Sequence, residues 1–329
     1  MTAGKNHIQV GALRAQLADT LQKVERGQRI VVERHGAPIA ALVPIGDYHA
    51  LGHREEHMAQ RIIFTNISGG EGKSFFTFHT AFALADMGYR VAVIDGDPQA
   101  SLTKRLGLHD DPNSAALRAD HTILRAFEQD DGDIQLPDPV RTGNLDVWPA
   151  NRHLLEADSK ISADLSRIGN LHDALLTLED RYDFILLDSK PGVSPLLTAV
   201  TAAAEHVIVP VSADKGMENL DELARLLRTA KKFNSRVGIR LFVPNRVRST
   251  NLSRRVMERL TSYSQIAPLS PAVRESTVGG EAEDARLGVT RFAPKSPLAG
   301  DLRQMVDALL QAIGSGAPVP SSAPAGGQG

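Results

Sequence analysis

The stretch Arg61-Ile62-Ile63-Phe64-Thr65-Asn66-Ile67-Ser68-Gly69-Gly70-Glu71-Gly72-Lys73-Ser74 decides the fold. An apolar, β-branched run passes straight into a glycine-rich loop ending in Lys-Ser, and a helical pattern, Phe75–Met87, follows. Strand, glycine loop and helix in that order form an anion cradle. Glycines let backbone N–H groups close on phosphates, and the helix N-terminus adds a favourable dipole. The backbone from Gly69 through Gly70, Glu71, Gly72, Lys73, Ser74 and Phe75 is therefore predicted to bind a nucleotide. Lys73 reaches the β/γ oxygens and Ser74 ligates Mg²⁺.

Working outward, Val91–Asp95, Phe184–Asp188, Val207–Val211 and Ile239–Pro244 are further short apolar runs, with helical patterns such as Leu220–Lys232 between them. Runs without polar alternation suit strands buried on both faces. Helical spacers then predict an α/β fold, a doubly wound, mostly parallel sheet with a P-loop, and ligands at the strands' C-terminal ends. A small N-terminal α+β domain precedes it. The expected division is 1–57, 58–313 and an uncharged, Pro/Gly/Ser-rich tail, 314–329, whose composition predicts disorder.

Composition sets outer bounds. Of 329 residues, 42% are hydrophobic and 23% charged, which supports a globular chain of about two domains. There is no cysteine, which excludes disulfides, a thiol nucleophile and thiolate metal sites, and suits a reducing cytoplasm. The opening MTAGKNHIQVG has no apolar signal-peptide core, and no apolar run approaches a spanning helix of about 20 residues. Neither a secretory nor a membrane role is expected. A net charge of −2 predicts no global nucleic-acid affinity, so any basic surface must be local.

Five ordered motifs resemble the ParA/MinD family of deviant Walker A ATPases: Asn66–Ser74, Val91–Thr103 (VAVIDGDPQASLT), Asn144–Asn151 (NLDVWPAN), Tyr182–Pro195 (YDFILLDSKPGVSP) and Val243–Arg246 (VPNR). The resemblance implies ATP and Mg²⁺ as cofactors and a homodimer. It assigns Asp97 the attacking water, with Lys73 as the catalytic cation. Ser74, Asp97 and Asp188 stand on the metal side, and Asn245 contacts adenine. One position departs from the family. Its additional loop lysine, which reaches a partner's nucleotide, is Ser68 here, which predicts weak hydrolysis. Lys190 stands where the family has proline, and reads equally as a replacement cation or a surface lysine.

From Lys231 to Arg259 basic residues accumulate against a single acid, Glu258. Clustered Lys/Arg without interleaved aromatics suits phosphate-backbone contact, with a solvated helix face as the alternative. Arg246, Arg248, Arg254 and Arg255, with Arg274 by the family resemblance, are the expected nonspecific DNA contacts.

The first 57 residues follow another order. Ile8–Val10 reads as strand, Leu13, Leu17, Leu21 and Val24 as a helix stopped by Gly27, Ile30–Glu33 and Pro38–Val43 as a hairpin around His35-Gly36, and Asp47–His57 as a second helix. This βαββα unit resembles the Phd/YefM antitoxin DNA-binding domain through Ala12-Leu13-Arg14, Ile30–Gly36, Ala40–Pro44 and Asp47–Leu51. The resemblance implies dimerisation and operator DNA binding through Arg14 and Arg34. His49, His53 and His57 have metal-ligand spacing but read as a solvated helix face.

The expected function is a cytoplasmic, nucleoid-associated ParA-type partition ATPase with a centromere-binding ParB-type partner. Its N-terminal domain is expected to repress its own operon. The alternatives are a nucleotide-controlled repressor with vestigial hydrolysis, an antitoxin fused to an ATPase and, less supported, an amidotransferring or kinase enzyme.

Overall fold

The protein is described from a computed structural model. The structure describes residues 6–9, 12–13, 16–34, 37–44, 58–111, 114–129, 134–212, 217, 219–247 and 251–314. The chain divides into two compact units, Met1–His57 and Met58–Gly329.

In the first unit β1 (Asn6–Gln9), α1 (Leu17–Glu25), β2 (Ile30–Arg34) and β3 (Ala37–Leu42) make a three-stranded sheet ordered β1-β2-β3. β1 runs parallel to β2, with α1 as the crossover, and β3 returns antiparallel. Gly27, at φ +94°, makes the left-handed turn that ends α1. Of the expected stripe, Val24 is buried but Leu17 and Leu21 are not. Thr20 and Val24 are buried, whereas Leu17 and Leu21 are 50% and 45% exposed. The 17/21 row lies beside the 20/24 row, and a three-stranded sheet is too narrow to cover both. The expected helix at 47–57, with its three histidines, lies outside the described residues, as does the tail from 315 onward.

The second unit is built on β4 (Gln60–Phe64), α2 (Lys73–Asp86), β5 (Val91–Gly96), α3 (Ser101–Arg105), β6 (Val140–Thr142), β7 (Leu145–Trp148), α4 (Glu156–Ala163) and α5 (Asn170–Leu176). It continues through β8 (Phe184–Ser189), α6 (Pro195–Ala203), β9 (His206–Val211), α7 (Leu220–Ala230), β10 (Gly238–Pro244), α8 (Asn251–Thr261), α9 (Val278–Asp284), α10 (Val289–Phe292) and α11 (Pro297–Ala312). The seven-stranded sheet is ordered β10-β9-β4-β8-β5-β7-β6. All neighbours are parallel except β6 and β7. β6 and β7 were not anticipated as strands. They are short, and Asn144–Asn151 was legible only as a motif.

The strands sort their side chains by alternation. Ile63, Ile94, Leu187 and Val209 enter one core, while Ile62, Phe64, Val93, Leu186 and Ile208 enter the other. A strand buried on both faces needs apolar residues at every position, which explains the unbroken runs. β4 is central, hydrogen-bonded to β8 on one side and β9 on the other. The order reverses at β4, so the loop after it opens at the sheet's switch point.

At the other end of β4, Arg61 is fully buried. Its guanidinium pairs with Glu205 at 3.0 Å and Glu179 at 3.4 Å, and Glu205 also meets Arg236 at 2.9 Å. Removing the buried cation leaves carboxylates without their partner. Arg61→Met should therefore cost about 3 kcal/mol in urea unfolding, while a Glu205→Gln/Arg61→Met double variant should recover part of that loss.

Candidate nucleotide site

The phosphate loop is shaped by its own polar side chains. Asn66 donates from Nδ2 to the Pro210 carbonyl at 2.9 Å and accepts the Ser68 N–H at 3.0 Å. It ties the loop to the end of β9. Glu71 accepts from the Ser212 N–H (2.6 Å) and hydroxyl (2.8 Å), closing the loop's other side. Gly70 and Gly72 have φ +82° and +98°. At Gly72 a Cβ would also sit 2.4 Å from Asn245 Nδ2, which donates to the Glu71 carbonyl at 2.8 Å. Only glycine meets both demands there. α2 then starts with Lys73 and carries no acid in its first turn, so its positive end faces the loop uncompensated.

Sheet register brings the acids together. Asp188 pairs with Phe64 on β4 and with Asp95 on β5, the two strands flanking β8. A Cβ at Gly96 would lie 2.7 Å from the Asp188 carbonyl, so the β5 terminus packs directly against β8. Asp95 is buried and held by three donors: the Asp97 N–H (3.0 Å), the Thr103 N–H (2.9 Å) and the Thr103 hydroxyl (2.6 Å). Asp188 is equally buried, yet neither carboxylate oxygen has a hydrogen-bond partner among the described residues. Burial pushes both carboxyls up, and the Asp95 charge adds to the shift at Asp188. The Ser74 hydroxyl lies close enough to ease it. The donors to Asp95 oppose its rise, so the larger upward shift falls on Asp188.

Lys73 is buried, and its ammonium donates to the Ser68 carbonyl at 2.9 Å. Burial lowers its pKa, against the opposing pull of Asp188, Asp97 and Glu71. Asp97 follows β5 and uses Oδ1 to accept the Gln99 N–H at 2.8 Å. It does not cap α3, whose cap residue is Ala100.

An open cleft of about 390 Å³ is lined by Gly69, Gly70, Gly72–Phe75 and Asp97, with Asn245 also on its wall, while Glu71, Asp95 and Asp188 are buried behind it and are not among its lining residues. Arg246 and Arg274, expected on a DNA surface, also line this cleft. Arg274 is held by Asp301 at 2.6 and 2.9 Å. Arg254 and Arg255 are exposed on α8, Arg34 is exposed on β2, and Arg14 and Arg248 lie outside the described residues. Lys190 is engaged by Asp158, whose other oxygen accepts the Leu196 N–H. It is not among the cleft-lining residues.

Sequence reasoning missed Asp95, although an acid closing an apolar strand was a signal for it. It also missed Arg105 and Glu283, which pair at 3.0 Å on the cleft wall, where no local pattern announces them.

A family model described as an AAA domain matches residues 59–241. The probable plasmid-partitioning protein ParA of Thermus thermophilus is 30% identical over 241 residues, covering 70% of this chain and 72% of that protein. The chain belongs to the ParA/MinD-type P-loop ATPases. Its fold also matches an ATP complex of Cyanothece McdA with TM-score 0.66 at 19% identity, covering 77% of this chain and 96% of that one. Cobyrinic acid a,c-diamide synthase from Mycobacterium smegmatis, with bound ADP and magnesium, matches with TM-score 0.63 at 24% identity, covering 81% and 100%. The mostly parallel sheet expected from the sequence is the family fold.

Two outcomes follow from the site. Gly72→Ala should lower nucleotide affinity by about tenfold or more in a titration, because the strained loop and Asn245 must both shift. A raised folded pKa at Asp188 contributes stability that is present below the unfolded carboxylate value of about 3.9 and is lost as pH rises through the folded value. The nucleotide-free protein should therefore weaken as pH climbs from the acid range through neutrality. Urea midpoints for Asp188→Asn should show a flatter pH dependence over that window, with Asp95 supplying what remains.

Proposed function

We propose that the protein is a ParA-type DNA partition ATPase that binds ATP–Mg²⁺ in the cleft after β4. The observation that carries this reading is the buried, unpartnered Asp188 carboxylate beside Ser74 and Lys73 at a helix N-terminus. Carboxylate and hydroxyl oxygens suit a hard divalent cation. No cluster of three or more His, Asp or Glu side chains able to hold a metal occurs among the described residues. That fits Mg²⁺, which shares its coordination between one or two protein groups and the nucleotide phosphates. Ser74 and Asp188 would hold it, and the bound ion would neutralise charge on the phosphate oxygens.

The chain's own groups do the rest. Loop N–H groups from Gly69 to Phe75 cradle the phosphates, and Lys73 exchanges the Ser68 carbonyl for a phosphate oxygen. Asp97, oriented by the Gln99 N–H, positions the attacking water, and Asn245 reads the adenine edge. Phosphoryl transfer is mostly positioning and charge stabilisation, so this set suffices.

The basic face of α8 and its flanks, with Arg254 and Arg255 and with Arg246, Arg248 and Arg274 nearby in sequence or at the cleft, is assigned to nonspecific DNA. Arg246 and Arg274 on the cleft wall would join nucleotide state to that surface. The N-terminal unit is read as a Phd/YefM-like operator-binding dimer using Arg14 and Arg34, and the exposed Leu17 and Leu21 supply an apolar face for a second copy. A ParB-type centromere-binding protein is the proposed stimulating partner, in a cytoplasmic, nucleoid-associated setting. No helix among the described residues is long and apolar enough to cross a membrane.

One observation favours a second reading, a nucleotide-controlled repressor with vestigial turnover. The Ser68 hydroxyl accepts from Asn219 Nδ2 at 2.8 Å, so position 68 is bound within its own chain.

Lys73→Ala should abolish ATP binding, and Asp97→Ala should bind ATP but slow turnover by about 100-fold or more. Wild-type turnover indistinguishable from Asp97→Ala, with DNA and partner present, would select the repressor reading. Arg254→Glu/Arg255→Glu should weaken DNA binding and flatten its dependence on salt, since about two fewer counterions are released. An unchanged salt slope would return that helix face to solvent.

A further inference from the structure

Away from the nucleotide cleft, a groove of about 720 Å³ runs between α7 and the outer edge of β10. Three features of this groove are independent of one another. The first is an open strand edge. β10 ends the sheet, and its outer side is paired only from Phe242 onward, where Phe242 donates to the Pro268 carbonyl at 3.0 Å and accepts the Ser270 N–H at 2.9 Å. Among the described residues no strand lies on that side of Gly238–Arg240, where a register shift interrupts the pairing with β9.

The second is an apolar wall built from Leu227, Ile239, Phe242, Tyr263 and Ile266. Ile266 is 60% exposed at the mouth, Ile239 and Tyr263 are half-buried, and Leu227 and Phe242 are buried behind them, so the apolar surface open to a partner is that of Ile266, Ile239 and Tyr263. The third is the rim, where Arg228, Lys231, Arg236 and Arg240 face the single acid Asp221. Arg236 is already paired with Glu205, and the other three have no acidic partner among the described residues. An open edge satisfies a chain's backbone, an apolar wall takes alternate side chains, and a cationic rim selects acids for the others.

The geometry points to a docking site for an extended, acidic segment of a partner protein, with apolar residues at every second position, added as a strand beside β10. Duplex DNA fits the rim but not the wall, since a phosphate backbone gains nothing from Ile266 or Ile239. The groove is also linked to the phosphate loop: α7, one of its walls, begins after Asn219, whose amide holds Ser68.

The test uses the full-length protein and a fluorescently labelled peptide of about eight residues alternating Glu and Val, a length that spans one strand. Anisotropy should show saturable binding. A peptide alternating Glu and Gly, of equal charge, should bind at least about tenfold more weakly, as should the Glu/Val peptide N-methylated on one edge. Ile266→Asp should lose about tenfold in peptide affinity while its affinity for ATP stays that of the wild type. Equal binding of the Glu/Gly peptide would reduce the site to a nonspecific cationic patch and overturn the proposal. So would indifference to N-methylation, which removes the strand edge from the interaction. Loss of duplex DNA binding in Ile266→Asp, with peptide binding unchanged, would assign the groove to nucleic acid instead.

Discussion

The pairing of β4 with β8, which sets Phe64 beside Asp188, is the constraint on which the rest of the site depends. Because β9 takes the other edge of β4, the phosphate loop leaves the centre of the sheet with a rigid strand on each side. β8 pairs in turn with β5, and that register places Asp95 opposite Asp188. Two carboxylates are thus forced together in a dry environment. The cost is met unequally. Asp95 receives three donors, and Asp188 receives none among the described residues that meets hydrogen-bond geometry. The fold holds one acid in reserve, and a cation at the loop would relieve it.

The phosphate loop itself is held by exchanges of polar groups rather than by packing alone. Asn66, Ser68 and Glu71 connect it to Pro210, Asn219 and Ser212, all from the segment at and after the end of β9. Each bond is buried or partly buried, so its loss leaves a polar group without water. The loop's shape is therefore coupled to the β9–α7 connection, and through Asn219 to α7. Any change at the phosphates that moves Ser68 has a path to the opposite side of α7.

Much of this was legible residue by residue. The glycine–lysine spacing after an apolar strand announced a phosphate site, because only such a loop presents convergent N–H groups next to a helix dipole. Unbroken apolar runs announced strands covered on both faces, and the two cores confirm why alternation is absent. β6 and β7 escaped because four or fewer residues carry no periodicity; β7 is placed by its pairing with β5, and β6 by its hairpin with β7. The leucines of α1 misled for a related reason. Helical spacing reports which residues share a face, and only the width of the neighbouring sheet decides which face is covered.

The sequence by itself determined the fold class and the strand–glycine loop–helix order that carries Lys73, since these depend on local spacing and backbone chemistry. Only the tertiary structure decided that Asp188 lacks a donor among the described residues, that Lys190 belongs to Asp158, and that Arg246 and Arg274 reach the cleft. It also decided that the basic rim near β10 stands over an apolar wall with an open strand edge. The physical reason is common to all four. Charge and hydrogen-bond capacity are written in the residue type, whereas desolvation and partnership depend on which distant segments the sheet order brings within reach.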